Sequence, residues 1–329
     1  MPFKDIVGHG PVVELLRQAA RRGRVPQSLI FAGPDGVGKR AVATALAQAV
    51  SCPKRADGDA CGTCSVCVRI AGQRFPDVTW LDKGDYASIK IDALREQILQ
   101  AVGYRPFEGP RRIFIINEAD DLTVQAQDAL LKTLEEPPSA TILILITAYP
   151  DTLLATIQSR CRRLRFGLLP EADVARILVS RAGIEPSKAH RLALVSGGSV
   201  ARALSDDTGY FEEDRDLALG LLRARGAAMP ERMKAAAAFA QHDNKRRARE
   251  AASTRLTILV SLLRDLSVLA AADPVPLANA DLDDELRRVL RAYDPHRLVD
   301  AFDAIGRAST ALDRNASPKI VADWLAATL

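Results

Sequence analysis

The chain has 329 residues, of which 48% are hydrophobic and 26% are charged, and its formal net charge is +4. This balance is typical of a folded globular protein and excludes an intrinsically disordered one. Residues 211–329 carry 18 basic and 18 acidic side chains, so the positive excess lies within residues 1–210. The sequence therefore has no basic C-terminal run, and any contact with nucleic acid has to come from local geometry instead of bulk charge.

Hydropathy and cysteine placement predict a soluble cytoplasmic protein that contacts no membrane. No window reaches the roughly 18 uninterrupted apolar residues of a membrane span. The first ten residues, MPFKDIVGHG, lack the apolar core of a signal peptide. Four of the five cysteines fall within sixteen positions, which is unlike the spread of a disulfide framework through a secreted domain.

The first half of the chain alternates apolar runs with helical periodicity, the pattern of a parallel sheet with crossover helices. The predicted strands are Ser28–Ala32, Val78–Leu81, Arg112–Ile116, Thr141–Thr147 and Arg163–Phe166. Helices are predicted over Arg40–Val50, Ile91–Val102 and Thr123–Glu135, the last of them stopped by two prolines. These elements predict an α/β domain over residues 1–167.

The second half of the chain is predicted to be helical. Residues 168–208 are predicted to form a small helical domain, with helices at Glu171–Ala182, from about Ser187, and after a pair of glycines. No strand-like run follows, and residues 209–329 form a further helical domain. Its predicted helices are Glu231–Ala240, Arg246–Leu269, Leu282–Ala292 and His296–Leu312.

A glycine-rich run between the first strand and the next helix predicts a phosphate-binding loop. It reads Gly33-Pro-Asp-Gly-Val-Gly-Lys39, in which Gly33, Gly36 and Gly38 allow the backbone to turn and Lys39 is placed to reach a terminal phosphate. The next residue of a working loop is Ser or Thr, whose hydroxyl holds Mg²⁺. Here that residue is Arg40.

The strand Arg112–Ile116 is followed by Asn117 and Glu118, where a nucleotide hydrolase needs an acidic pair. Asn117 is a neutral ligand in the place of a metal-binding carboxylate. Together with Arg40 it predicts a degenerate phosphate loop in which ATP binding is doubtful and hydrolysis is lost. The alternative is that Glu118 alone suffices for hydrolysis.

Four cysteines predict a structural zinc site. Cys52, Cys61, Cys64 and Cys67 have the spacing C-x8-C-x2-C-x2-C, which suits tetrahedral Zn²⁺. Four protein ligands leave no open position for catalysis. The alternative is a set of reduced thiols packed in a core, which the polar character of the segment disfavours.

Several motifs in order resemble the bacterial clamp-loader subunits of the AAA+ class, and within it the delta prime subunits of DNA polymerase III. They are Phe3-Lys-Asp-Ile-Val-Gly-His9, the loop Gly33–Lys39, the four cysteines, the run Ala126-Gln-Asp-Ala-Leu-Leu-Lys-Thr-Leu-Glu-Glu-Pro-Pro138 and Ser159-Arg-Cys161. The last two are the most specific. The resemblance covers roughly residues 1–205, with Asp128 where the family more often has Asn.

The resemblance implies a AAA+ domain, a lid domain (168–208) and a collar domain for oligomerisation (209–329). It implies a hetero-pentameric ring with motor (gamma/tau-type) and delta-type subunits, which loads a sliding clamp onto primed DNA. Arg160 corresponds to an arginine finger that enters the ATP site of a neighbouring subunit. Thr147 and Arg202 correspond to the two sensor residues of the family. No intrinsic ATPase is expected, although the chain would be part of the DNA polymerase III holoenzyme.

Two alternative functions remain open from the sequence. The first is a motor-type subunit that hydrolyses ATP through Lys39 and Glu118. The second is a zinc-dependent DNA-binding module on a AAA+ scaffold, which requires basic residues around the cysteines. Only Lys54, Arg55 and Arg69 meet that requirement. Without the resemblance, Arg160 is interpreted as a solvated surface charge. The spacing of the four histidines indicates no partner residue for any of them, and they are interpreted as surface or core residues.

Overall fold

The computed structural model describes residues 1–84, 86, 88–206, 210–241, 248–272, 275, 277–314 and 316–329. The chain forms two compact units, Met1–Asp173 and Val174–Leu329. The predicted boundary between lid and collar, at residues 208 and 209, lies outside the described residues. The three predicted domains therefore stay a prediction.

A five-stranded parallel sheet is the centre of the first unit, in the order β2-β3-β4-β1-β5. Four of its five strands are near-continuous apolar runs because helices cover both faces of the sheet, whereas the edge strand Arg162–Arg165 carries three arginines. This confirms the predicted α/β fold class with a parallel sheet. The strands are β1 (Ser28–Ala32), β2 (Val78–Leu81), β3 (Arg112–Ile116), β4 (Thr141–Thr147) and β5 (Arg162–Arg165).

In the described residues of the first unit, six helices accompany the sheet, and two apolar cores lie between helices and sheet, one on each face. Leu16 and Leu46 are buried in the first core, and Leu94, Leu130 and Ile157 in the second. The helices are α1 (Gly10–Arg21), α2 (Lys39–Ser51), α3 (Ser65–Ala71), α4 (Ile91–Leu94), α5 (Val124–Glu135) and α6 (Ala155–Gln158). Short 3₁₀ turns lie at Phe3–Asp5, Ala119–Asp121 and Pro150–Thr152.

The helix predicted over Ile91–Val102 is a regular α-helix only over its first turn. After α4 the backbone widens into a π-helical turn, Arg95–Leu99, and regular helix ends there. The N–H of Val102 still donates to the carbonyl of Ile98 at 2.9 Å, so the chain keeps turning to the end of the predicted range. Arg112 donates from Nη1 to the carbonyl of Ala101 at 2.9 Å, and the Thr141 hydroxyl donates to that of Val102 at 3.2 Å.

The second unit is entirely helical in its described residues, as the sequence predicts. Leu222, Phe239, Leu262, Ile305 and Leu325 contribute to one apolar core. The periodicity predicts most of these helices but gives no bounds for those at Tyr210–Arg223 and Pro318–Thr328. The start predicted at Arg246 lies outside the described residues. The helices are α7 (Glu171–Ala182), α8 (Pro186–Val195), α9 (Val200–Asp206), α10 (Tyr210–Arg223), α11 (Met229–Ala240), α12 (Ala248–Ala271), α13 (Asp283–Leu290), α14 (Pro295–Asp313) and α15 (Pro318–Thr328).

None of the helices in the described part of the chain combines the length and the apolar character needed to cross a lipid bilayer.

Candidate functional site

The glycine-rich loop joins β1 to α2 at the carboxyl edge of the sheet, where ligands of open α/β folds bind. Gly33 has φ 155°, and a Cβ at this position would lie 2.1 Å from the carbonyl oxygen of Phe166. Only glycine fits so close to the chain that leaves β5. Gly36 and Gly38 also have positive φ values, of 75° and 103°. The path of the backbone therefore requires the glycines of the motif.

Lys39 is held inside the loop that precedes it. Its side chain is only 5% exposed, and Nζ donates to the carbonyl oxygens of Gly33 and Pro34, the latter at 2.8 Å. The carboxylate of Asp35 lies 3.4 Å away. Burial lowers the pKa of Lys39. The ammonium group is thus held by neutral carbonyls and one carboxylate of its own loop.

Arg40 stands in the first turn of α2, at the position that a metal-binding hydroxyl takes in a working loop. Its guanidinium forms a bidentate ion pair with Asp82, with Nη1–Oδ1 at 2.7 Å and Nη2–Oδ2 at 3.1 Å. It also lies 4.7 Å from the ring centre of Trp80. Planar stacking and the bidentate pair are specific to arginine and fix a permanent positive charge here. Sequence reasoning missed Asp82, although its place directly after β2 predicts the carboxyl edge.

Asn117 and Glu118 follow β3 at the same edge of the sheet. The N–H of Asn117 donates to the carbonyl of Leu81 at 2.9 Å. Glu118 has a left-handed backbone with φ 51°. Burial raises the pKa of Glu118, as do the nearby carboxylates of Asp35 and Asp82, while Lys83 lowers it. The structure therefore brings Glu118 close to the loop and to the carboxylate that pairs with Arg40.

Thr147 ends β4 beside the loop, and it is 1% exposed. Its carbonyl accepts from the N–H of Gly33 at 3.2 Å, which fixes the start of the loop to β4. Its hydroxyl oxygen accepts from the N–H of Tyr149 at 3.0 Å. The predicted sensor residue therefore lies next to the loop, with its hydroxyl engaged in the turn that follows β4.

His9 is a neighbour of the loop that sequence reasoning missed. Its Nε2 lies 2.8 Å from the carbonyl oxygen of Val37, so Nε2 carries a proton and donates it. The ring also contacts Phe166 edge-on, with ring centres 5.0 Å apart. Val37 is 28 residues further along the chain. No local spacing could reveal this contact.

The four predicted metal ligands converge in one cluster. All four Sγ atoms lie within 4.8 Å of one another, and the separations are 3.7 Å for Cys52–Cys61, 3.8 Å for Cys52–Cys64 and 4.0 Å for Cys61–Cys67. Four sulfurs at about 2.3 Å from a tetrahedral Zn²⁺ are about 3.8 Å apart. The cysteines are free thiols. The donor set and its spacing fit a metal ion, so this cluster could bind one.

Backbone N–H groups prepare one sulfur of the cluster for metal binding. Those of Thr63 and Cys64 lower the pKa of the Cys61 thiol to about 6. Burial raises the pKa of the Cys52 and Cys67 thiols. A metal ligand has to be a thiolate, so a bound cation would offset the cost of ionising the two buried thiols.

The loop that carries the cysteines is packed against the first residues of the chain and against α1. Gly58 has φ 78°, and a Cβ there would lie 2.3 Å from the carbonyl oxygen of Arg17. The carboxylate of Asp59 accepts from the N–H groups of Phe3 and Lys4 at 2.8 and 2.9 Å. The cysteine module is therefore part of the α/β unit and not a separate appendage.

Arg160 lies in the turn between α6 and β5, and its side chain is 35% exposed. It is not the free solvated charge that the sequence alone suggests. Its Nη2 donates to Oε1 of Glu135 at 2.8 Å, and its Nη1 donates to the carbonyl of Thr156 at 3.0 Å. The adjacent Cys161 is buried, and burial raises the pKa of its thiol to about 12.

Arg202 belongs to the second unit and lies on α9. Its backbone N–H donates to the hydroxyl oxygen of Ser199 at 3.3 Å, and its Nη1 donates to the carbonyl of Ser196 at 3.1 Å. These contacts fix the side chain over the glycine turn that precedes α9. Its predicted role as a second sensor stays a prediction.

The sheet order and the glycine-rich loop between β1 and α2 define the first unit as a AAA+ domain of the P-loop type. Residues 8–169 match the family model described as DNA polymerase III, delta subunit. The chain is also 33% identical over 206 residues to the DNA polymerase III subunit gamma/tau of Mycobacterium bovis. It is 32% identical over 208 residues to the DNA polymerase III subunit tau of Escherichia coli.

These alignments cover 61% and 62% of this chain, and 35% and 32% of the two relatives. The chain thus spans about a third of the length of the relatives that it matches. Among solved structures, a gamma subunit-related protein from Thermotoga maritima aligns over 95% of this chain and 97% of its own, with 17% identity and a TM-score of 0.42. Part of this chain is therefore similar to DNA polymerase III subunits of the delta and gamma/tau types.

Proposed function

We propose that this chain is a delta prime-type subunit of a DNA polymerase III clamp loader. It hydrolyses no ATP itself and supplies Arg160 in trans to the ATP site of a neighbouring motor subunit. Its partners are motor and delta-type subunits in a hetero-pentameric ring, which loads a sliding clamp onto primed DNA in the cytoplasm. The proposal combines the family of the domain with the chemistry of two positions, Arg40 and Arg160.

The observation that carries the proposal is the Arg40–Asp82 ion pair. Mg²⁺ bound to a nucleotide takes oxygen ligands, and one of them is the hydroxyl of the residue after the loop lysine. Here that residue contributes a permanent positive charge, fixed 4.7 Å from the Trp80 ring centre and paired to a carboxylate. A divalent cation at this place would be repelled by the guanidinium. Asn117 adds a neutral amide where a metal-binding carboxylate is needed.

The four cysteines are assigned to one structural Zn²⁺ ion. Cys52, Cys61, Cys64 and Cys67 would supply four thiolates, which leaves no coordination position for a substrate. The ion would hold the end of α2, the loop after it and the start of α3 together. It has no part in the proposed chemistry at Arg160.

The test combines ATP turnover with assembly. The purified chain should show no Mg²⁺-dependent ATP turnover above the protein-free rate. It should elute in one complex with purified motor-type and delta-type subunits, at the mass of a pentamer by light scattering. Failure to enter the complex would contradict the proposal.

A motor-type subunit is the second candidate, and the relatives favour it because both are gamma/tau-type subunits. This candidate uses Lys39 for the phosphates and Glu118 to orient the attacking water. It requires ATP turnover by the chain alone, and that turnover has to disappear in Lys39→Ala. This outcome would replace the first proposal with the second.

A further inference from the structure

The end of α5 and the turn that carries Arg160 are joined by a charged contact. Glu135 is the last residue of α5, and its Oε1 accepts from Nη2 of Arg160 at 2.8 Å. The exposed fractions are 51% for the glutamate and 35% for the arginine. The other guanidinium nitrogen, Nη1, donates to the Thr156 carbonyl at 3.0 Å and to the Ser159 hydroxyl oxygen at 3.3 Å. The guanidinium is therefore held from one side by a carbonyl and a hydroxyl of α6 and the turn after it, and from the other side by the carboxylate of Glu135.

Helix α5 is itself fixed to the structures around it at both ends. Near its start, the buried Gln127 accepts from the N–H of Leu154, the residue that precedes α6, at 2.8 Å. After its end, the carbonyls of Pro137 and Pro138 accept from the Gln27 side chain at 3.3 and 2.9 Å. Gln27 precedes β1 directly. The carboxylate of Glu135 therefore extends from a rigid support, which is what a positioning group requires.

The contacts leave part of the guanidinium available. Arginine has five N–H donors. Three have partners, on Glu135, Thr156 and Ser159. The Nε–H and one N–H of Nη2 make no hydrogen bond to the described residues. A side chain held in this way has its orientation fixed and still presents two donors to an acceptor outside the chain.

We infer that Glu135 is a positioning residue for Arg160. An arginine that acts in trans has to enter the neighbour's site in one orientation, and a long free side chain loses rotamer freedom when it does so. The ion pair with Glu135 fixes that orientation before the subunits meet. The inference rests on the proposed role of Arg160 and deepens it. It also gives a physical role to the first of the two glutamates in the run Ala126–Pro138.

The first arm of the test uses the full chain alone and needs no ATPase. The ¹⁵N relaxation of the Arg160 Nε–H group reports the mobility of the guanidinium. Glu135→Gln should raise this mobility clearly, and Glu135→Asp, which keeps the charge on a shorter side chain, should raise it less. Glu136→Gln is the matched control, since it removes the same charge from the neighbouring exposed residue and should change nothing. Equal mobility in Glu135→Gln and the wild type would overturn the inference.

The second arm measures ATP turnover in the reconstituted complex at equal assembly. The turnover that depends on Arg160 is the difference between wild type and Arg160→Ala. Glu135→Gln should lower this difference by up to about fivefold, the size expected for one exposed ion pair, and Glu136→Gln should not. Adding Glu135→Gln to Arg160→Ala should cause no further loss. A further loss would overturn the inference, because Glu135 would then act on another group.

The two arms separate failure of this inference from failure of the proposed function. If Arg160→Ala leaves the complex fully active, Arg160 is not an arginine finger, and Glu135 then has no effect on ATP turnover through it. If Arg160→Ala lowers turnover and Glu135→Gln behaves like Glu136→Gln, the finger role stands and only the positioning role is overturned.

Discussion

Arg40 and Asp82 form a bidentate ion pair across the carboxyl edge of the sheet, between the first turn of α2 and the residue after β2. The exposed fractions of the two side chains are 41% and 37%. A pair this exposed contributes little to folding stability. Its importance is chemical, because it places a cation where a Mg²⁺-binding hydroxyl would otherwise be and engages the carboxylate of Asp82.

The first prediction follows from this relationship. The double variant Arg40→Ser with Asn117→Asp should bind ATP and Mg²⁺ at least about tenfold more tightly than the wild type, because it supplies a hydroxyl and a carboxylate as metal ligands. Isothermal titration calorimetry checks the affinity. The control is Arg40→Ala with Asn117→Asp, which removes the same cation without adding a hydroxyl and should gain less. Equal affinities in the two double variants would contradict the role assigned to position 40.

The second prediction concerns the buried ammonium of Lys39. Burial lowers its pKa in the folded chain below its ordinary value of 10.5. Between the folded and unfolded pKa values the unfolded chain binds more protons, so the contribution of Lys39 to stability rises with pH in that window. The free energy of unfolding of the wild type, relative to Lys39→Met, should therefore increase as pH approaches about 10.

Denaturant unfolding of both proteins, from neutral pH upward, measures that difference. Lys54→Met, at an exposed position of the cysteine loop, controls for the loss of one positive charge. A difference between wild type and Lys39→Met that falls as pH rises would contradict the assignment of burial as the main influence on Lys39.

The third prediction concerns the metal. The purified chain should contain one zinc ion, and Cys64→Ser should lose it, since three thiolates bind far more weakly than four. Cys161→Ser is the matched control, because Cys161 is a buried thiol outside the cluster. It should keep the metal. Elemental analysis measures the content of both variants, and a wild-type chain free of transition metal would contradict the prediction.

Loss of the metal should loosen the module without unfolding the chain. The α/β unit has its own two apolar cores, and the cysteine cluster is a small addition to them. Hydrogen exchange in Cys64→Ser should accelerate around residues 52–72 and stay slow in β1 and β4. Rapid exchange throughout the sheet would show that the metal stabilises the whole unit.

The sequence predicts the sheet well because four of its five strands are mostly apolar and are separated by clear turn signals, whereas the edge strand β5 carries three arginines. Four of the strands have the predicted first and last residues: Ser28–Ala32, Val78–Leu81, Arg112–Ile116 and Thr141–Thr147. The strand expected at Arg163–Phe166 is displaced by one residue, although the N–H of Phe166 still donates to Ala32 at 2.8 Å. Over Ile91–Val102 the apolar spacing predicts a helical course but not the π-helical turn at Arg95–Leu99, for which the spacing carries no signal.

The candidate site was predictable where its residues are close in sequence. The cysteine spacing and the glycine loop are local patterns, and each predicts its geometry. The partners of these residues are distant in sequence: Asp82 is 42 residues from Arg40, and Glu135 is 25 residues from Arg160. Such pairs are fixed by the strand order and by the packing of α5 against α6. A single sequence carries no periodic signal for them.

The last prediction concerns Arg160 itself. Arg160→Ala should leave the fold, the metal content and the assembly of the complex unchanged, because its ion pair with Glu135 is half-exposed. ATP turnover by the complex should fall, since an arginine finger supplied in trans contributes on the order of 10³-fold or more at the site that it enters. The fall should be partial, because only the one site that faces this chain loses its finger.

Arg160→Lys separates the effect of charge from that of shape. Lysine keeps the positive charge but lacks the planar fork, so it cannot hold Glu135 and Thr156 while donating to a phosphate. Turnover in the Arg160→Lys complex should therefore stay close to that of Arg160→Ala. Recovery to the wild-type rate would mean that the neighbouring site needs only a point charge. Unchanged turnover in Arg160→Ala, at equal assembly, would return Arg160 to a surface residue whose only role is to join α5 to the turn before β5.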